Sequence, residues 1–72
     1  MLTREQKIEL ILKDDLLIYL SAHKDELIAM LLEDRTDFLN RVDDEEIEFQ
    51  LHGVDIENLK NWDGLNEFWG SK

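Results

Sequence analysis

The sequence of 72 residues contains no cysteine, no proline and only three glycines. Without cysteine, the chain has no disulfide framework, no thiolate metal site and no cysteine nucleophile. The glycines are isolated from one another along the chain, which excludes a glycine-rich phosphate-binding loop. Small disulfide-stabilised proteins and several classes of enzyme are therefore excluded at the outset.

Long hydrophobic runs are also missing. The two longest apolar stretches, residues 16–20 and 28–32, are separated by three charged residues at positions 24–26. Each stretch is far shorter than the roughly 20 residues that span a bilayer. Residues 1–7 lack the apolar core of a signal peptide, so we expect a cytoplasmic location and no membrane partner.

Basic residues are scarce, with 8 Lys and Arg against 18 Asp and Glu, for a formal net charge of −10. A charge this negative repels phosphates, so direct binding to DNA, RNA or anionic lipid is not expected. The acidic excess is concentrated in the second half of the chain, because residues 43–67 contain nine acidic residues and a single base, Lys60. This asymmetry is the most unusual feature of the sequence.

Apolar residues make up 43% of the chain, which indicates a folded core rather than a disordered acidic tail. Their spacing predicts a mainly α fold, a compact bundle of four to five short helices in a single domain, residues 1–72. The alternative for residues 68–72 is a flexible tail, because the ends of a chain are often poorly ordered. A core this small stabilises a chain by only about 3–5 kcal/mol, so unusually good packing or pairing with a partner is expected.

Helix boundaries follow from caps and periodicity. Thr3 followed by Gln6 fits a capping box, which predicts a first helix over residues 4–13. Asp14 and Asp15 then predict the N-cap of a second helix. The predicted buried face of the first helix consists of Ile8, Ile11 and Leu12.

Apolar residues recur at helical spacing over residues 16–32, but the polar residues 21–24 interrupt that face. This segment is therefore either one long helix or two shorter helices. Thr36 predicts the cap of a further short helix. That helix is expected to place Phe38, Leu39 and Val42 inward and an Asp37–Arg41 pair outward.

Residues 43–56 support two interpretations. Acidic residues 43–46 suit the first turn of a helix, Gly53 suits its end, and Asp55 suits the cap of a last turn or two through Ile56, Leu59 and Trp62. The alternation of apolar and polar residues over 47–56 instead favours a β-hairpin packed on the N-terminal helices, an α+β fold. The helix is favoured, and it would point Phe49 away from Ile47 and Leu51.

Patterns for catalysis or metal binding are weak. Ser21, His23 and Asp25 lie at spacings that direct the histidine away from the other two on a helix. Glu48 and His52 would supply only two metal ligands, and residues 43–46 lack the alternate spacing of a calcium loop. We expect no enzyme activity, no metal and no cofactor.

The remaining interpretation is recognition. Carboxylates fixed on a folded surface resemble the charge of a phosphate backbone and attract a basic groove, while interleaved apolar residues supply affinity. Trp69 either folds back over the core or serves as an exposed anchor. The predicted partner-binding residues are Asp43, Asp44, Glu45, Glu46, Glu48, Phe49, Asp55, Glu57 and Trp69.

The sequence thus predicts a non-enzymatic, DNA-mimic-like module that occupies a basic surface of a partner protein, plausibly a nucleic-acid-processing protein, and inhibits it. Phage-encoded inhibitors, antitoxins and immunity proteins are the analogous classes. The alternative is a structural homo-oligomer, such as a homodimer, or an accessory subunit that buries the apolar face of residues 16–32.

Overall fold

The computed structural model describes residues 2–22 and 27–62, and these residues form four α-helices and no β-strand. The helices are α1 (Arg4–Ser21), α2 (Ile28–Arg41), α3 (Asp44–Leu51) and α4 (Ile56–Leu59). The mainly α prediction is confirmed. The hairpin alternative is wrong, because residues 47–51 are helical and only one side of that helix is buried.

Helix α1 begins at the predicted capping box. The Gln6 backbone N–H donates to Thr3 Oγ1 at 3.1 Å, and the Thr3 N–H donates to Gln6 Oε1 at 2.8 Å. The predicted break at Asp14 and Asp15 is wrong, since α1 continues to Ser21. Continuing the helix keeps Leu16, which is fully buried, in register with the buried residues of the preceding turns.

Helix α1 is the centre of the fold and packs against each of the other three helices. Its buried residues are distributed around most of its circumference: Ile8, Leu10, Ile11, Leu12, Lys13 and Leu16. The predicted inward face was therefore correct but too narrow. A helix surrounded by other helices buries apolar residues on several sides.

Helix α2 is separate from α1, which settles the choice between one helix and two in residues 16–32. The cap predicted at Thr36 is wrong, because Thr36 lies inside α2 and its hydroxyl donates to the Leu32 carbonyl at 2.7 Å. Of the residues predicted to face inward, Leu39 is fully buried and Val42 is half-buried. Phe38 is 42% exposed, so its predicted inward orientation is also wrong.

Helices α3 and α4 begin where the acidic residues 43–46 and Asp55 predict. The Asp43 side chain accepts a hydrogen bond from the Glu46 N–H at 2.9 Å, and α3 ends at Leu51, directly before His52. Asp55 precedes α4 as predicted, but its carboxylate accepts from the Asn58 side-chain amide rather than from a backbone N–H.

Trp62 packs half-buried against the core. The predicted tail at residues 68–72 lies outside the described residues. None of the helices in the described ranges combines the length and the apolar character needed to cross a membrane.

Candidate protein-binding surface

Helix α3 presents an aromatic residue to solvent on the side opposite the core. Ile47 and Leu51 are buried, whereas Phe49 is 71% exposed. Among the large hydrophobic residues in the described ranges, Phe49 is the most exposed. Helical periodicity places Glu45 and Glu46, four and three residues earlier, on the same side as Phe49. We call Glu45, Glu46 and Phe49 the outer face of α3.

Two predicted site residues form ion pairs that hold α3 against α1. Arg4 pairs with Asp44, and Lys7 pairs with Glu48. The carboxylates remain accessible, since the side chains of Asp44 and Glu48 are 87% and 52% exposed. These two acids therefore help to position α3, and their charge is partly balanced by cations of α1.

A third cation, Arg35 of α2, connects all three long helices. Its Nε donates to Asp15 of α1 at 2.9 Å, and its Nη2 donates to Gln50 of α3 at 3.1 Å. The Gln50 amide in turn donates to Glu46 at 2.9 Å. This chain of hydrogen bonds fixes one carboxylate of the outer face of α3 relative to α1 and α2.

The same guanidinium group lies over the ring of Phe38, 5.5 Å from its centroid. This is the geometry of a cation–π contact. It holds an exposed aromatic side chain on α2 in a defined position. The sequence interpretation missed Phe38 as a surface residue; its spacing from buried Leu39, one residue away on a helix, was the available signal.

The other predicted site residues are distributed differently. Asp43 is exposed and caps α3, whereas Asp55 and Glu57 belong to the α4 segment. Glu57 pairs with Lys60 at 3.3 Å and its side chain is 83% exposed. The structure thus places Glu45 and Glu46 beside Phe49, whereas Asp44 and Glu48 pair with cations of α1. Asp55 and Glu57 lie at a separate helix, α4. Trp69 lies outside the described residues.

Charge pairing across residues 2–22 and 27–62 is uneven. Each of the six Lys and Arg side chains in these ranges pairs with a carboxylate. The same ranges contain fourteen Asp and Glu residues, so acids outnumber the cations that balance them. Asp43, Glu45 and Glu46 are among the acids without a cation partner there. The outer face of α3 therefore retains net negative charge.

The pKa of one carboxyl group in the middle of α1 is perturbed. Partial burial raises the pKa of Asp14 above its ordinary value of 3.8, and the neighbouring charge of Asp15 raises it further. Burial also raises the pKa of Tyr19, with a smaller upward effect from Asp15 and an opposing effect from Arg35. Asp15 contributes to both shifts, and it is the carboxylate that pairs with Arg35.

No group of three His, Asp or Glu residues that could hold a metal ion occurs in the described part of the chain. Of the two residues Glu48 and His52, Glu48 pairs with Lys7. His23 and Asp25, the weak catalytic candidates beside Ser21, lie outside the described residues. A cavity of about 150 Å³ is lined by Leu2, Gln6, Glu9, Leu10, Lys13 and Lys60.

That cavity contains no arrangement of a nucleophile and a base. The Lys13 ammonium, its most buried polar group, donates to the backbone carbonyls of Leu59 and Lys60 at 3.0 and 3.4 Å. It also lies 3.6 Å from a carboxylate oxygen of Glu9, one turn earlier on α1. Lys13 is therefore best explained as a structural cation.

Comparison of the chain with protein-family models, curated proteins and solved structures finds no match. The function must therefore be argued from the chain's own residues. The arrangement with the most distinctive chemistry is the outer face of α3, an exposed phenyl ring beside carboxylates on a helix that three cations hold in place.

Proposed function

We propose that this chain is a non-catalytic acidic module that binds a partner protein with a basic surface through the outer face of α3. The observation that carries the proposal is Phe49, 71% exposed beside Glu45 and Glu46 on a helix whose opposite side is buried. Burying a phenyl side chain contributes about 1.5–3 kcal/mol. An aromatic anchor surrounded by polar groups is the usual composition of an interface hot spot.

The carboxylates contribute to the rate and the orientation of binding. Charges of one sign attract a basic partner, increase its association rate and orient it before contact. Asp44, Glu46 and Glu48 are each held by a contact with another side chain, so they lose less side-chain entropy on binding than free carboxylates do. Phe49 then provides the affinity that exposed charges do not.

The surface that we propose for the partner is a nucleic-acid-binding groove. Such grooves are rich in Lys and Arg placed to contact phosphates, and a helix with fixed carboxylates presents the same charge. A protein occupying the groove excludes nucleic acid by competition. The proposed activity is therefore inhibition by occlusion, as in DNA-mimic inhibitors, antitoxins or immunity proteins, including phage-encoded ones.

The test uses the immobilised protein to capture basic proteins from a bacterial extract, with elution by rising salt. Substituting Phe49→Ser should weaken capture by about thirtyfold, the effect of losing a hot-spot residue worth about 2 kcal/mol. The double variant Glu45→Gln/Glu46→Gln should make capture weaker and less dependent on salt. Captured proteins should be displaced by added double-stranded DNA.

The matched control is Glu5→Gln/Glu9→Gln, which removes the same charge from two exposed positions on α1. It should leave capture nearly unchanged. The proposal fails if the captured proteins are not basic, if they are retained equally at high salt, or if the control variant weakens capture as much as Glu45→Gln/Glu46→Gln does.

A second candidate function is self-association through residues 16–32. It is supported by four exposed apolar side chains in or beside this segment: Leu17, Ile18, Leu27 and Met30, with exposures of 40%, 56%, 48% and 54%. A homo-oligomer gives a thermal midpoint that rises with protein concentration. Analytical ultracentrifugation over a hundredfold concentration range separates the two functions, because the first predicts a monomer throughout.

A further inference from the structure

Helix α2 has an apolar stripe that no other described helix covers. Its core side consists of Ile28, Leu32 and Leu39, each fully buried. Leu27, Met30 and Phe38 are 48%, 54% and 42% exposed. Spacings of three, eight and eleven residues place these three on one side of the helix, together with half-buried Leu31 and exposed Asp34, four and seven residues after Leu27. We call Leu27, Met30, Leu31, Asp34 and Phe38 the α2 stripe.

From this arrangement we infer that the α2 stripe is a second contact surface, which docks a basic amphipathic α-helix of the partner protein. The inference rests on the proposed function, because it assigns the element through which the basic partner is held. It adds a surface on a different helix from the outer face of α3, with its own aromatic residue.

The length of the stripe fits a helix. Leu27 and Phe38 are eleven residues apart, so they span about 16 Å along the axis, or three turns. Anchor positions at spacings of three, four and seven residues match the ridges of a second helix packed alongside. The Arg35 guanidinium over the Phe38 ring fixes one end of the stripe in place before a partner arrives.

The charges around the stripe favour a basic occupant over a second copy of this chain. Asp34 lies between Met30 and Phe38, and Glu33 is exposed beside it. The two cations of α2 are already engaged, Arg35 by Asp15 and Arg41 by Asp37. A second copy would bring a further net charge of −10 and its own Asp34 to the contact. Lysines flanking an apolar seam on a partner helix would instead pair with Glu33 and Asp34.

The chain offers a clean reporter for the test, because its only methionines are Met1 and Met30. The protein is labelled with ¹³C on the methionine methyl groups and titrated with an 18-residue amphipathic peptide of leucine and lysine. A peptide of the same leucines with glutamate in place of lysine is the control ligand. We expect the lysine peptide to shift the Met30 methyl resonance saturably, the Met1 resonance to stay unchanged, and the glutamate peptide to have no effect.

Variants locate the contact. Met30→Ser and Phe38→Ser should each weaken peptide binding by about tenfold or more, and Glu33→Gln/Asp34→Asn should reduce its salt dependence. Ile18→Ser is the matched control, because it removes an apolar side chain of similar exposure from α1 instead of α2, and it should leave peptide affinity unchanged. All substituted side chains are exposed, so circular dichroism should show the native helix content in each variant.

Several results overturn the inference while leaving the proposed function in place. Peptide binding lost with Phe49→Ser but kept with Met30→Ser would place the basic ligand on α3 alone. A Met30 resonance that changes with protein concentration would assign the stripe to a second copy. A nuclear Overhauser contact between the Met30 methyl and the Trp69 ring would assign it to this chain's own residues 63–72. Capture of basic proteins that is insensitive to Phe49→Ser overturns the proposed function instead.

Discussion

The ammonium group of Lys13 lies 3.0 Å from the carbonyl oxygen of Leu59, joining the middle of α1 to the last residue of α4 across 46 positions of sequence. Only 7% of the Lys13 side chain is exposed. The last carbonyl groups of a helix lack partners within that helix, and a cation there also interacts favourably with the helix dipole. This side chain therefore helps to attach α4 to the core, together with the buried side chain of Leu59.

Replacing Lys13 with methionine tests that relationship. Methionine keeps the apolar part of the side chain but removes the charged donor to the carbonyls of Leu59 and Lys60, so that the Leu59 carbonyl keeps only its hydrogen bond from the Trp62 N–H. We expect a loss of about 1–3 kcal/mol in the free energy of unfolding. Urea denaturation followed by tryptophan fluorescence measures it. Lys60→Met, at a half-exposed position, should cost less than about 0.5 kcal/mol. Equal stability of the two variants would show that the buried contact contributes nothing.

Arg4 has a comparable position at the junction between α2 and α3. It donates to the carbonyls of Leu39 and Val42 and pairs with Asp44. Arg4→Lys keeps the charge but loses the planar fork that reaches several acceptors, so a loss of about 1–2 kcal/mol is expected. Arg41→Lys, on an exposed pair within one helix, should change stability by at most about 0.5 kcal/mol. Thermal unfolding of both variants measures how much the several hydrogen bonds of the Arg4 guanidinium group contribute to stability.

The raised pKa of Asp14 makes a prediction about pH. Because the folded protein binds this proton more tightly than the unfolded chain, the stabilising contribution of Asp14 is complete below pH 3.8 and is lost as pH rises through its raised pKa. Asp14→Asn should therefore raise Tm at pH 7 and give a smaller gain, or none, below pH 3.8. Glu33→Gln is the exposed control with the same charge change. A gain for Asp14→Asn that does not depend on pH would contradict burial as its cause.

Substitutions on the buried side of α3 should reduce the stability of the fold, whereas substitutions on its exposed side should reduce partner binding. Ile47 is 1% exposed, and Ile47→Ala should cost about 2–4 kcal/mol in the free energy of unfolding. Phe49→Ser should change stability by less than about 0.5 kcal/mol while weakening partner capture. Guanidinium denaturation of the two variants, beside the capture assay, separates folding from binding. Loss of stability in Phe49→Ser would mean that the ring supports the fold rather than a partner.

Local signals predicted the helix starts that depend on adjacent residues alone. The Thr3–Gln6 capping box and the Asp43 cap act over three residues, so the sequence contains all the information they need. The errors occur where a distant residue decides. Asp15 does not begin a helix because Arg35, twenty positions later, pairs with it in mid-helix. Thr36 does not cap one because α2 continues through it, with Leu32 and Leu39 on either side fully buried against the rest of the core.

For the candidate surface, too, some features follow from the local sequence and others from the tertiary structure. The acidic composition of residues 43–57 and the helical phase of Phe49 relative to Ile47 are properties of the sequence, because period and charge are local. Which acids are balanced was decided by tertiary structure, since Arg4 and Lys7 are about forty residues away from Asp44 and Glu48.

The sequence by itself determined that this protein is helical, acidic and capped at Thr3 and Asp43. Tertiary structure alone placed α1 at the centre, buried the charge of Lys13 and left Met30 and Phe38 at the surface. The physical reason is that burial depends on which helices pack together, and a helical pattern read along one chain does not specify its neighbours.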